Sequence, residues 1–254
     1  MHPDWLRPEA WPAEVGAVMT TRAGGASAGA YASMNLGAAV GDDPEAVRRN
    51  RAQLAQASGA RPVWLKQVHG ARVVNLDRLD PEDDVIEADA SIATRAGVAC
   101  VVGVADCLPV LLAAPGGRGV GAAHAGWRGL AGGVLENTVA TLCEAAGCEP
   151  QALQAWMGAC IGPQAFEVGP DVLQAFGADA DAPDPARFVP RVGADGRARW
   201  LANLPRLATD RLRAAGVEQI SGGGWCTVSD ASRFFSFRRD RITGRMAAAV
   251  WLRR

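Results

Sequence analysis

The chain is poor in the residues that most chemistry uses: three histidines, one lysine and one tyrosine in 254 residues. A multicopper oxidase holds its metals through many imidazoles, and only His69 and His124 lie beyond the N-terminal segment, so a blue-copper and trinuclear assembly is excluded. No Cys-x-x-Cys pair occurs, which excludes a four-cysteine zinc knuckle and a thioredoxin-like motif. No apolar run approaches the roughly 18–20 residues that span a bilayer. The N-terminus, MHPDWLRPEAWPAE, has acidic residues and prolines where a signal peptide needs a basic and then an apolar stretch. The net charge of −1, from 26 basic and 27 acidic groups, gives no bias toward nucleic acid or membrane. A soluble, cytoplasmic protein is expected. Six cysteines (Cys100, Cys107, Cys143, Cys148, Cys160 and Cys226) without a secretion signal do not make a disulfide framework. With a single lysine against 25 arginines, isolated surface arginines carry little functional weight.

What is present suffices for a sizeable core: 49% hydrophobic and 21% charged residues, with 30 glycines and 15 prolines. Residues 44–58 read as a helix, with a Pro at the start and Gly59 at the end. PVWLKQVH and ARVVNL read as strands, then a loop rich in Asp and Glu leads to ADASIAT. VACVVGVAD, PVLLAA and GVGAAHAG are short apolar runs bounded by Gly, Pro or Asp, the pattern of buried strands. A helix from near Arg128 through GGVLENTVATLCEAAG follows, then a strand at QAWMGACIG and a short helix near PDVLQAF. Residues 177–199 read as an exposed excursion, NLPRLATDRLRAAG as a helix, and VEQI, RFFSFRR and MAAAVWL as strands. The expected fold is a single α/β (α+β) domain over 1–254, with mixed β-sheets and flanking helices.

His69 in QVHGA and His124 in AAHAGWRG both close an apolar run beside Gly or Ala, where a strand delivers a side chain to a site. Cys107, in VADCLPVLL, stands between two predicted strands. Gaps of 38 and 17 residues make any meeting of the three tertiary. Two imidazoles and a thiolate form a three-ligand set for Zn²⁺ that leaves a fourth position open for water or substrate. The same residues allow two other readings. Cys107 is a buried small hydrophobe and the histidines are satisfied by backbone, or Cys107 is a nucleophile with His124 as its base. Asp106 is a poor orienter for that dyad unless the chain turns, because adjacent strand residues point to opposite faces. TTRAGG lacks the spacing of a phosphate loop and reads as an ordinary turn. SFRRDRITGR clusters Arg238, Arg239, Arg241 and Arg245; on an edge strand such a cluster is usually solvated, while the alternative sends Arg238 toward a pocket, where it would hold an anion, and Arg239 away.

Together and in order, LKQVHG, EADA, ADCLPVLL, AAHAGWRG, GACIGP–AFEVG and FFSFRRD–TGRMAA resemble the bacterial YfiH-like family of laccase-domain proteins, also described as purine nucleoside phosphorylases. The resemblance runs from residue 20 to the C-terminus. It implies an α/β domain with mixed sheets and a catalytic zinc held by His69, Cys107 and His124, with a single copper at the same site as an alternative. It implies phosphate-dependent cleavage of adenosine, inosine, guanosine and 5′-methylthioadenosine, with hydrolytic deamination of adenosine as a further activity. Polyphenol oxidation, and a Cys107/His124 hydrolase acting on cell-wall peptide intermediates, are the alternatives. Two departures stand near the site: Phe237 where many members have Tyr, and Gln164–Ala165 where some have a Cys pair.

Overall fold

The computed structural model describes residues 2–79 and 86–253. The acidic part of the loop ahead of ADASIAT falls in residues 80–85 and lies outside the described residues. In chain order the elements are β1 (Val15–Met19), α1 (Pro44–Ser58), β2 (Arg61–Val63), β3 (Val73–Asn75), β4 (Ala90–Ala93), β5 (Val98–Val104) and β6 (Leu108–Ala113). There follow β7 (Val120–Ala125), α2 (Trp127–Ala131), α3 (Val134–Ala146), β8 (Gln154–Met157), β9 (Glu167–Val168) and α4 (Pro170–Ala175). The chain closes with β10 (Phe188–Val192), β11 (Ala198–Ala202), α5 (Leu204–Ala214), β12 (Gln219–Gly222), α6 (Phe237–Asp240) and β13 (Met246–Leu252). No helix among the described residues is long and apolar enough to cross a membrane.

Two mixed sheets stack face to face. One has the order β1-β13-β5-β2 and the other β12-β8-β6-β7-β4-β3; a third, β10-β11-β9, is small. Strand alternation explains why these runs are apolar throughout, because both faces of the central strands are covered. On β6, Val110 and Leu112 pack toward α3 and α5, whereas Leu111 and Ala113 pack toward the other sheet. On β13, Met246, Ala248 and Val250 face inward, while Ala247, Ala249 and Trp251 meet Leu54 of α1 on the outer side. The layers therefore run helix, sheet, sheet, helix. Helix α1 begins and ends where the sequence places it: the Asp43 side chain accepts from Glu45 N at 3.0 Å, and Gly59 closes it at φ 65°.

Four predicted elements differ. PVWLKQVH is strand only at its start, since β2 ends at Val63. Beyond it the Gln67 side-chain amide, not the backbone, accepts from Gly103 N at 2.8 Å and donates to the Gly103 carbonyl at 2.9 Å, and His69 turns the chain at φ 61°. The helix expected from Arg128 onward is broken into α2 and α3 at Gly132–Gly133; Gly133, at φ 91°, takes a conformation that no other residue type tolerates cheaply. RFFSFRR is not a strand: Phe234 and Phe235 are both buried, Ser236 caps with its Oγ accepting from Arg239 N at 3.2 Å, and one turn of helix follows. Two adjacent residues on the buried side break the two-residue period of a strand. The exposed excursion of 177–199 also contains a strand, β10, which pairs antiparallel with β11 through the fully buried Phe188. The stretch 179–186 is largely exposed and belongs to no helix or strand.

The first and last strands of the chain pair, since β1 lies against β13. We propose on this ground that residues 1–254 fold as one domain. Limited proteolysis is expected to cut first within 179–186, where cleavage releases little buried surface. Early cutting near residues 60 or 150 would instead point to two domains.

Candidate metal centre

Three chain reversals at the open end of the sheets bring His69, Cys107 and His124 together. Their nearest ligand atoms all lie within 4.8 Å of one another. His124 is the penultimate residue of β7 and is buried. Cys107 immediately precedes β6, and His69 sits in a turn between β2 and β3. The two imidazole rings are 4.8 Å apart, centroid to centroid, and nearly perpendicular at 72°. Cys107 Sγ is 3.7 Å from His69 Nε2. Neighbouring corners of a tetrahedral zinc with nitrogen and sulfur ligands are about 3.3–3.8 Å apart, so the pair already stands at ligand spacing.

One carboxylate organises two of the three. Asp89 is the third residue of the EADA segment and is fully buried next to β4, as the cross-strand neighbour of His124. Its Oδ1 accepts from His124 Nδ1 at 2.8 Å and from the backbone N–H of His69 at 2.9 Å. Its Oδ2 accepts from the N–H groups of Val68 and Gly70 at 3.1 and 2.8 Å. His69 is at φ 61°, a strained conformation for a residue with a Cβ, and the three N–H bonds hold that turn closed. With Nδ1 donating to Asp89, Nε2 is the His124 nitrogen left for a metal, which would take the place of its proton, the arrangement that metal-binding histidines require. Asp89 is a candidate site residue that neither spacing nor residue type announces, because its place beside His124 and His69 exists only through a cross-strand contact.

Asp106 does not orient His124. It stands at φ 91°, so the chain does turn there, but its Oδ1 accepts from Thr227 Oγ1 at 2.6 Å and its Oδ2 from Arg238 N at 2.7 Å. Asp106 thus joins the Cys107 turn to the start of α6. Gly126 leaves the space between the ligands: a Cβ there would fall 2.9 Å from His69 Cδ2 and 3.0 Å from Cys107 Sγ. The donor set, its spacing and the hollow beneath Gly126 all fit a single metal ion with nitrogen and sulfur ligands.

The electrostatics agree. Burial opposes ionisation of both Cys107 and His124, but each supplies the other's counter-charge. The imidazoles of His124 and His69 hold the Cys107 thiol down at about 6, and the Cys107 thiolate with the Asp89 carboxylate raises His124 to about 9. Without metal the pair is a thiolate and an imidazolium at neutral pH.

The cluster opens into a cavity of about 820 Å³. Trp64, Trp127, Phe166 and Phe237 supply apolar wall, and Arg51, Lys66, Arg238 and Arg245 supply positive charge. Arg238 reaches this wall from α6, with Nη1 donating to the Glu167 carbonyl at 3.1 Å, and not by strand alternation. Arg239 points away, and its guanidinium ties down the carbonyls of Thr227, Val228 and Phe234. That makes it a structural anchor of the loop and a poor neutral control.

The model of the multi-copper polyphenol oxidoreductase laccase family matches residues 16–253. The chain belongs to this family. It is 49% identical over 250 residues to a protein of Pseudomonas aeruginosa named purine nucleoside phosphorylase, covering 98% of each chain. It is 45% identical over 252 residues to purine nucleoside phosphorylase YfiH of Escherichia coli, covering 98% of this chain and 97% of that one. The crystal structure of a Neisseria meningitidis family member superposes with a TM-score of 0.88 at 46% identity, covering 98% of this chain and 99% of that one. YlmD from Geobacillus stearothermophilus superposes with a TM-score of 0.86 at 34% identity, covering 98% and 96%. The resemblance to laccase-domain, YfiH-like proteins and the mixed α/β fold are thus both found. The family's oxidase description rests on copper, whereas the histidine supply here provides for one metal ion.

Proposed function

We propose that this protein is a purine nucleoside phosphorylase that uses one zinc ion held by His69, Cys107 and His124. The observation that carries the reading is a three-donor metal set and a wall of arginines in one cavity. Two imidazoles and a thiolate leave the site with net positive charge and an open position, and such an ion supplies Lewis acidity or an activated water. Asp89 keeps His124 in the ligating tautomer. The arginine wall, Arg238 included, would bind phosphate and hold it as one of its oxygens attacks the anomeric carbon. As that bond forms the C1′–N9 bond breaks, its electron pair passes to the purine, and the base leaves with a proton. The apolar rings around the cavity bind the nucleoside and keep bulk water from competing with phosphate. Adenosine, inosine, guanosine and 5′-methylthioadenosine are the proposed substrates. Water attack at C6 with loss of ammonia would make inosine from adenosine as a second activity.

The soft thiolate suits copper as well as zinc, and metal analysis of protein purified without added copper separates the two. A second reading draws on the Cys107 thiolate and the His124 imidazolium, which together resemble a cysteine-hydrolase pair, here for cell-wall peptide intermediates. One experiment tests the main reading: the pure protein is incubated with adenosine, inosine and 5′-methylthioadenosine, with and without phosphate, and the products are separated by chromatography. Free base and ribose 1-phosphate are expected from inosine only when phosphate is present. Base release at the same rate without phosphate would make the protein a hydrolase and sink the assignment.

A further inference from the structure

Among the described residues, no carboxylate lies within ion-pair distance of Arg51 or Arg245, although both are half-buried on the cavity wall. They come from distant parts of the chain, α1 and the turn before β13, yet both close on Leu36 and Gly37. Arg51 Nε donates to the Leu36 carbonyl at 3.0 Å, and its guanidinium stacks 3.9 Å over the Trp64 ring. The Arg245 carbonyl accepts from Leu36 N at 2.9 Å, and its side-chain stem lies where a Cβ on Gly37 would reach within 2.8 Å of Cγ. Arg245 Nη1 donates to the carbonyls of Thr243 and Gly244 at 3.1 and 3.0 Å, which fixes the fork. Its Nε and Nη2 have no acceptor among the described residues.

Two guanidinium groups on the wall of one cavity, partly out of water and without a counter-ion, are costly unless an anion joins them. Burial lowers the pKa of both, and the charges of Cys107 and Asp106 are near enough to oppose that at Arg245. Asp106 is not the missing counter-ion, since Thr227 Oγ1 and Arg238 N already occupy its two oxygens. A planar fork with two free donors matches a tetrahedral oxyanion, and the doubled positive charge matches a dianion.

We infer that Arg245 and Arg51 form the seat for inorganic phosphate in this cavity. The choice of inorganic phosphate over other oxyanions rests on the phosphorylase reading. The test is calorimetric titration of inorganic phosphate into the metal-loaded protein without nucleoside, for wild type, Arg245→Met, Arg51→Met and Arg245→Lys. Each methionine variant is expected to bind phosphate about 10- to 100-fold more weakly, the loss of a charge-assisted pair of hydrogen bonds. The KM for phosphate in inosine cleavage should rise in step, while the KM for inosine stays within about twofold, as expected when only one substrate loses its contacts. Arg245→Lys should recover part of the affinity, because the charge remains and the fork is lost. Unfolding temperature and metal content verify each protein, and Arg51→Met still reads the site if Arg245→Met does not fold. Unchanged phosphate affinity in folded, metal-loaded variants overturns the inference. So does tighter binding of inosine 5′-monophosphate than of inorganic phosphate through the same arginines, which would make the occupant a substrate's own phosphoryl group. If wild type binds phosphate through the pair but releases no base from inosine, the site stands and the phosphorylase reading falls.

Discussion

Asp89→Asn is expected to lose the metal centre while changing one atom. The carboxylate receives four donors, two on each oxygen, and an amide has only one oxygen to offer. If the amide nitrogen faces Val68 N and Gly70 N, two N–H groups point at an N–H₂ group and the His69 turn opens. If it faces His124, the imidazole must accept at Nδ1 and carry its proton on Nε2, so the lone pair needed for metal is gone. Either orientation removes a ligand. Metal affinity is expected to fall by about 10- to 100-fold, the usual cost of losing such a partner. Stability should fall by about 3–5 kcal/mol, because the remaining donors stay buried without an anion. Competition with a chromophoric chelator reads the first effect and denaturant unfolding the second. An Asp89→Asn protein that holds one zinc at wild-type affinity would show that His124 is oriented by something else.

The three residues of the candidate metal site were legible in the sequence, and what positions them was not. His69, Cys107 and His124 each sit at the end of an apolar run, and in a chain with so few histidines that placement narrows the choice to almost nothing else. Asp89 sits just before β4 like any residue that ends a loop, and only its place opposite His124 across the β4–β7 pair gives it a role. The strand assignments at β3, β5, β6, β7, β8, β12 and β13 held, and β5, β6, β7 and β13, buried on both faces, need no partner to be recognised. Contacts from outside the segment decided the elements that differ. In RFFSFRR the aromatic residues suggest a strand, but Ser236 caps a turn of helix and Arg239 binds three carbonyls, contacts that a local reading does not contain. Arg238 reaches the cavity wall through that turn, for a reason other than the alternation expected. Arg51 carries no motif, and Arg245 stands in the TGRMAA segment with nothing local to set it apart from Arg238, Arg239 and Arg241. Their meeting at Leu36 and Gly37 is a property of the fold, and in a chain whose cations are nearly all arginine nothing local separates them from the solvated ones.

Removing the metal is expected to abolish phosphorolysis and leave the fold intact. The three ligands stand at the rim of the sheets, whereas the core is built from β5, β6, β7, β13 and the helices that cover them. A chain with that much buried apolar surface does not need metal to fold, unlike a zinc finger. Loss of several kcal/mol of charge stabilisation in the transition state corresponds to a rate at least about a hundredfold lower. The pH dependence of metal uptake carries the same argument further. Between about 6 and about 9 the metal-free site holds a Cys107 thiolate and a protonated His124, so the incoming ion must displace the His124 proton. Affinity should therefore rise with pH by about one proton per metal in that window. Below about 6 Cys107 is protonated as well, and the dependence should steepen to about two protons per metal. Chelator competition at several pH values measures the slope, and calorimetry in buffers of different ionisation enthalpy counts the protons released. A cysteine hydrolase would behave in the opposite way, because its thiolate–imidazolium pair is most available when no metal covers it. Full inosine cleavage in phosphate by folded, metal-free protein would therefore remove the metal from catalysis.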